Sequence, residues 1–241
     1  MKRAYLIEMT IFRDYGRQLM GLGLLVSLCI GVGMQTPLAM PATLTCMFFM
    51  MASMGLAAYD QLNHWELFRL TLPLSRRDVV LGRYAAIVTM GLMGTAVGIV
   101  AALIAMVAVS ALHIGGEVGA AFAFSPDLLA PMLFTTFFCL LIGSVVASAV
   151  TPLYFRLGQT RATQILPTVI VLLFVVPVVI LGNSGMLDGG IPGMELLSRA
   201  LEALETPAGM AAGCALCAAL AAAALGISAT ISLKLYENRE L

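Results

Sequence analysis

Long apolar runs separated by short charged segments dominate the sequence. Six of these runs contain no charged residue and are long enough to cross a bilayer as helices, since one crossing needs about 20 residues. They cover residues 18–36, 38–58, 84–112, 129–151, 163–182 and 207–233. The pattern predicts an all-α integral membrane protein with six transmembrane helices, built as a single domain over residues 1–241.

Two features of these runs predict how neighbouring helices meet. The first two runs are separated only by a tight turn around residues 35–38, so we expect a helical hairpin. Gly94 and Gly98 form a GxxxG pattern in the third run, and small residues at this spacing let helices approach closely.

The composition agrees with a membrane protein. Hydrophobic residues make up 61% of the chain and charged residues 11%, with a mean hydropathy of +0.99. A soluble domain is about half apolar and about a quarter charged. The formal net charge is zero, so no general basic field predicts a nucleic-acid partner.

The distribution of charge predicts the orientation. With six crossings, twelve of the thirteen Lys and Arg residues fall on one side of the membrane, and only Arg199 falls on the other. Lys and Arg near span ends are retained in the cytoplasm. The sequence therefore predicts a multi-pass protein with both termini cytoplasmic.

The loop between the second and third runs, residues 59–83, mixes apolar and charged residues. Asn63 is placed to cap one short helix that ends at Pro73, and Ser75 with Asp78 is placed to cap a second helix leading into the third run. Such a loop suits either an interfacial elbow that dips into lipid or a surface that docks a protein. The residues alone leave both readings open.

At this loop the chain resembles a known family. Glu66 followed by Thr71-Leu-Pro-Leu-Ser-Arg-Arg-Asp-Val-Val-Leu-Gly-Arg-Tyr84 is similar to the corresponding loop of bacterial ABC-2 type transporter permeases, in the small six-span branch with a TLP-x-SR signature. Residues 152–158 with Arg161, and the tail 232–239, fit the same branch. The resemblance covers the whole chain.

The resemblance implies that residues 67–77 include the coupling helix, which docks on a separate ATP-hydrolysing subunit. The docking residues it implies are Trp65, Glu66, Arg69, Leu72, Pro73, Leu74, Ser75, Arg76 and Arg77. Leu72 and Leu74 would enter an apolar groove of the ATPase, and the arginines would meet acidic residues at its rim. A second cytoplasmic loop would carry Tyr154, Arg156, Gly158 and Arg161.

The resemblance also implies the partners. These are two copies of an ABC ATPase, a second permease chain that is identical or related, and membrane lipid of the bacterial cytoplasmic membrane. The chain has no G-x-x-x-x-G-K-[ST] loop, so we expect it not to be an enzyme and to bind no cofactor. ATP and Mg²⁺ would be used by the partner ATPase, and the exported substrate would be an apolar or amphipathic peptide, lipid or drug.

Two further helices are expected outside the spans. Residues 4–15 resemble the N-terminal elbow helix of the family and would lie in the inner membrane interface. Residues 193–205 have helical periodicity and would form a short external helix before the sixth span.

Two other function classes are disfavoured. A membrane-embedded enzyme needs a nucleophile with His, or paired Asp, at membrane depth, and the sequence offers neither. An ion-coupled secondary carrier usually needs an ionisable group within a span, and these span boundaries contain none. The five cysteines lie in apolar runs, and His113 with Glu117 lacks a third ligand, so we expect no metal site.

Overall fold

The computed structural model shows a helical protein. It describes residues 2–62, 75–113, 115–183, 202, 204 and 206–237, with the backbone alone at residues 14, 15, 61, 62, 157–183 and 237. Its helices are α1 (Lys2–Gly33), α2 (Ala39–Leu62), α3 (Arg76–Ala111), α4 (Gly116–Ala121), a short 3-10 helix (Pro126–Leu128), α5 (Leu129–Asn183) and α6 (Pro207–Glu237). No strand occurs within these described ranges, which confirms the all-α prediction.

The N-terminal helix differs from the prediction. A separate elbow helix over residues 4–15 was expected before the first span, but α1 continues without a break from Lys2 to Gly33. Ala4, Glu8 and Phe12 are buried at four-residue spacing, and Gly16 and Leu19 continue the same stripe. This stripe packs into the protein along its whole length, so residues 4–15 belong to the same helix as the first span instead of forming a separate one.

The turn between α1 and α2 confirms the predicted hairpin. Gln35 adopts a left-handed conformation with a φ of 50°. The backbone N–H of Thr36 donates to the carbonyl of Gly31 at 3.0 Å, which closes the end of α1. Gln35 then donates from Nε2 to Oε2 of Glu117 at 2.7 Å, so α4 lies at the same end of the protein as this turn.

Close backbone contact joins α2 and α3, as the GxxxG pattern predicts. A Cβ added at Gly94 would lie 2.5 Å from Cγ of Phe48, and one added at Gly98 would lie 2.7 Å from Cα of Pro41. Neither position has room for a side chain. The main hydrophobic core forms beside this contact, around Phe48, Phe49 and Ile87.

Helix α5 also differs from the prediction. A cytoplasmic loop was expected around residues 152–162, but α5 remains helical over 55 residues, from Leu129 to Asn183. The loop was placed by its charges, Arg156 and Arg161, and charge alone does not end a helix. One candidate span, Pro126–Arg156, covers the 3-10 helix and the first half of α5.

Five helices in the described residues are long and apolar enough to cross a membrane. They are Gly16–Gly33, Ala39–Asp60, Arg76–Ala111, Pro126–Arg156 and Pro207–Tyr236. The sixth expected crossing, residues 163–182, falls where only the backbone is described, so the count of six stays a prediction. The external helix over residues 193–205 falls almost entirely outside the described residues.

Candidate functional site at the charged end of the helices

The charged end is the end of the protein where Glu8, Asp60, Arg83 and Tyr154 meet. The start of α1, the end of α2, the start of α3 and the middle of α5 come together here. Residues 63–74 connect α2 to α3 at this end, since α2 ends at Leu62 and α3 begins at Arg76.

Ser75 and Asp78 cap α3 as the sequence predicts. The Ser75 hydroxyl oxygen accepts from the backbone N–H of Asp78 at 3.1 Å, and the hydroxyl donates to the Asp78 carboxylate at 2.8 Å. Ser75 has an extended backbone, which is usual for a residue that caps a helix. The cap fixes the point at which the connecting segment ends and the long third helix begins.

Arg83 lies two turns further along α3 and forms ion pairs with two carboxylates. Its Nε and Nη2 both donate to Oε1 of Glu8 at 3.2 Å, and Nη2 also pairs with Oδ2 of Asp60. The side chains of Arg83, Glu8 and Asp60 are 1%, 3% and 2% exposed. The guanidinium thus links α1, α2 and α3 inside the protein, where solvent screens ion pairs least.

Tyr154 adds α5 to this ion cluster. Its hydroxyl donates to Oδ2 of Asp60 and lies within hydrogen-bond distance of the carbonyl of Ala57, both at 3.2 Å. The Arg83 guanidinium carbon lies 5.5 Å from the centre of the Tyr154 ring, within the range of a cation–π contact. Four helices therefore meet around one arginine.

Tyr84 connects the same turn of α3 to α6. Its hydroxyl lies 2.6 Å from Oγ of Ser228 and 2.8 Å from Oγ of Ser232, and Ser228 donates to the carbonyl of Ser148 at 2.6 Å. That carbonyl is four residues before Pro152, which has no N–H to donate to it. A hydroxyl of α6 thus satisfies a backbone acceptor that proline leaves open in α5.

Arg76 ties the first turn of α3 to the end of α6. Its Nη1 donates to the carbonyl of Tyr236 at 3.1 Å, and its guanidinium carbon lies 5.9 Å from the centre of the Tyr236 ring. The Tyr236 ring also meets Phe155 edge-on at 5.2 Å. Arg76 itself is exposed.

Two charged residues just outside the predicted spans 38–58 and 84–112 lie in the protein interior. Asp60 and Arg83 are buried, Asp60 at the end of the apolar helix Ala39–Asp60 and Arg83 two turns into the apolar helix Arg76–Ala111. Arg83 lies in a buried stripe with Val79, Val80 and Ile87, and that spacing was the available signal.

The structure brings together only some of the predicted site residues. Ser75, Arg76 and Arg77 are exposed at the start of α3, and Tyr154 is buried in the ion cluster. Arg156 is exposed, and at Gly158 and Arg161 the structure describes a helical backbone instead of the predicted loop. The remaining predicted docking residues lie outside the described residues: Trp65, Glu66, Arg69, Leu72, Pro73 and Leu74.

Comparison with known proteins gives one match. A family model described as "ABC-2 family transporter protein" matches residues 11–237. The match begins within α1, includes the connecting segment and the whole of α2 to α6, and ends at the last residue of α6. No curated protein and no solved structure gives a significant match.

Proposed function

Because the chain belongs to the ABC-2 family of transporter proteins, we propose that it is a permease subunit driven by a separate ABC ATPase that docks on residues 63–77. The family match covers nearly the whole chain, and its apolar helices make it a multi-pass membrane protein. Membership in this family implies an ABC ATPase partner. We propose in addition that the ATPase docks on this segment and that the direction of transport is export.

One observation supports docking at this segment more than any other. The connecting segment leaves α2 two residues beyond Asp60 and enters α3 two turns before Arg83, and Asp60 and Arg83 form a buried ion pair. A force on the connecting segment would thus reach α2 and α3, which the Asp60–Arg83 ion pair holds together. Arg76 and Arg77 are exposed beside it, as an acidic rim on a partner would require.

The proposed setting is the bacterial cytoplasmic membrane, with both termini and the charged end in the cytoplasm. The positive residues described at this end include Lys2, Arg3, Arg76 and Lys234, all of them exposed. Retention of positive residues in the cytoplasm supports this orientation. Cysteine labelling should find position 76 accessible from the cytoplasm and position 195 from outside, and the reverse pattern would refute the orientation.

The proposed assembly is two permease chains, identical or related, with two ATPase subunits. The proposed activity is export of an apolar or amphipathic substrate, such as a peptide, lipid or drug. Both follow from family resemblance, and the apolar character of the helices supports the substrate class. ATP and Mg²⁺ would be bound by the ATPase subunits.

An ion-coupled carrier and a membrane enzyme fit this chain less well than an ATP-driven permease. The buried ion cluster would suit an ion-coupled carrier by its chemistry alone, because such carriers keep ionisable groups in their spans. The cluster lies near helix ends, however, with Asp60 two residues before the end of α2. Family membership favours the ATP-driven permease over the carrier and over a membrane enzyme.

An affinity pull-down tests the proposal. The protein, solubilised from its native membrane in a mild detergent, should bring with it an ATPase containing a Walker motif. The double variant Leu72→Asp with Leu74→Asp should insert normally and lose the ATPase, because charge would oppose entry into an apolar groove. Arg3→Asp, at an exposed site on α1, is the matched control and should retain it. Recovery of the double variant with a normal amount of ATPase would refute docking at this segment.

A further inference from the structure

We infer that Arg83 and Tyr84 are positioning residues that make the ends of α1, α2, α3, α5 and α6 move together when the connecting segment is displaced. The inference rests on the proposed function for the source of that displacement, the ATPase. The mechanical part concerns only contacts within this chain. It goes beyond docking because it assigns the transmission step to two adjacent residues inside the protein.

The first step is the entry of movement into α3. The Ser75 hydroxyl oxygen accepts from the backbone N–H of Asp78, with 3.1 Å between oxygen and nitrogen, and so caps the helix. Helix α3 is then continuous from Arg76 through Arg83. A cap of this kind keeps the first turn helical. Displacement of residue 75 therefore moves Arg83 along with the helix axis instead of unwinding the turns between them.

The second step is transfer from Arg83 to three other helices. Its guanidinium contacts Glu8 of α1 and Asp60 of α2 directly, and Asp60 accepts the hydroxyl of Tyr154 from α5. All of these groups are buried, so water cannot readily replace a broken contact. Sliding α3 past α1 or α2 would separate opposite charges in a medium of low dielectric constant, which opposes independent motion.

The third step is transfer from Tyr84 to α6. Neighbouring residues on a helix point about 100° apart, so Tyr84 faces a different side of α3 from Arg83. Its hydroxyl joins Ser228 and Ser232 of α6, and Ser228 continues to the Ser148 carbonyl of α5. Residues 83 and 84 thus join α3 to the other four long helices within one peptide unit.

Three variants separate this role from simple stabilisation. The triple variant Glu8→Gln, Asp60→Asn and Arg83→Met removes all three charges together, so none of the three is left buried without the other two. Arg83→Lys keeps the charge but loses the forked geometry that contacts two carboxylates at once. Tyr84→Phe removes one hydroxyl. Arg3→Gln, an exposed arginine on α1, is the control.

Two measurements are made on each variant. Hydrogen exchange of the isolated permease in detergent follows the amides of residues 2–12 and 54–60 relative to those at the centre of α3. ATP hydrolysis is measured for the permease reconstituted in liposomes with its ATPase, at equal amounts of folded permease and bound ATPase. The second readout would not change if the residues only stabilised the fold.

The inference predicts that the triple variant binds the ATPase but shows permease-stimulated hydrolysis that is about tenfold lower, within the usual range for coupling between sites. Arg83→Lys should retain part of the stimulated hydrolysis, and Tyr84→Phe should lose less of this hydrolysis than the triple variant does. Exchange should rise in residues 2–12 and 54–60 but not at the centre of α3. Unchanged stimulation in the triple variant, or unchanged exchange in both segments, would overturn the inference.

The design distinguishes failure of the inference from failure of the proposed function. If the wild-type permease binds no ATPase, the proposed function fails and hydrogen exchange alone decides whether residues 83 and 84 hold the helix ends together. If the ATPase binds and all variants stimulate it equally, the proposed function stands and the inference fails.

Discussion

The charged end and the opposite half of the protein are held together by different means. At the charged end, a single arginine contacts two carboxylates, and hydroxyl groups join α3, α5 and α6. In the opposite half, α1 and α3 are separated by an apolar groove of about 860 Å³. Its lining has almost no polar surface and includes Leu25, Leu28, Met40, Val100, Ala101 and Ile104.

This difference shows where the helices can shift with respect to one another. The apolar side chains that line the groove make van der Waals contacts, which have no required direction. Ion pairs and hydrogen bonds between buried groups are directional, so a displaced arrangement loses them outright. The charged end therefore has fewer alternative arrangements than the apolar half, which suits a region that passes on movement.

The largest predicted effect is at Arg83. Arg83→Leu removes the cation between Glu8 and Asp60 and should lower the free energy of unfolding by about 3–5 kcal/mol. Equilibrium unfolding in mixed detergent micelles measures this change. Arg17→Leu, at an exposed position on α1, should change it by less than about 0.5 kcal/mol. An equal effect of both variants would show that the ion cluster does not stabilise this end.

The next largest effect on stability is predicted for a substitution at Gly94, in the apolar half. Gly94→Ala places a Cβ 2.5 Å from Cγ of Phe48 and should destabilise the protein by about 2 kcal/mol in the same unfolding measurement. Gly21→Ala is the matched control, because a Cβ there would meet no atom within 4 Å. The control should be neutral or slightly stabilising, since alanine favours a helix. Equal tolerance of both changes would contradict the close packing of α2 and α3.

A smaller effect is predicted for the hydroxyl link between α5 and α6. Ser228→Ala removes the donor to the Ser148 carbonyl and should cost about 1 kcal/mol. Thr230→Ala is the control on the same helix, since Thr230 is exposed and its hydroxyl donates to the carbonyl of Ile227 within α6. A double variant with Tyr84→Phe should cost less than the sum of its parts, because the two hydroxyls share one network.

The smallest effect is at the start of α3. Ser75→Ala removes the cap and should cost about 0.5–1 kcal/mol. The loss should appear as faster hydrogen exchange at the Asp78 amide, with the centre of α3 unchanged. Ser75→Asp should retain protection, because aspartate also caps helices. Protection lost equally in both variants would show that the cap does not hold this turn.

Features set by nearby residues could be predicted from the sequence. The cap at Ser75 depends on Asp78 three residues later, and the turn at Gln35 depends on the short polar gap between two apolar runs. The GxxxG contact was predicted because glycine spacing along one helix decides which face can approach another. In each case the determining residues lie within a few positions of one another.

The ion cluster could not be predicted in the same way. Its members lie far apart in sequence, at positions 8, 60 and 83, and each taken alone is typical of a charged residue at a span end. Only the tertiary packing of α1 against α3 brings them together. The four-residue spacing of Ala4, Glu8 and Phe12 indicated a continuous buried stripe, but it also suited an amphipathic elbow helix.

The central claim is that an ABC ATPase docks at the charged end of the protein. Photocrosslinking from this end and from the opposite end tests it most directly. A photoreactive residue is placed either at position 76, at the charged end, or at position 117, which is exposed at the opposite end. Each variant is irradiated in native membranes and its crosslinked products are identified by mass spectrometry. The account predicts that position 76 crosslinks to an ABC ATPase and position 117 does not. Crosslinking of the ATPase from position 117, with none from position 76, would contradict it.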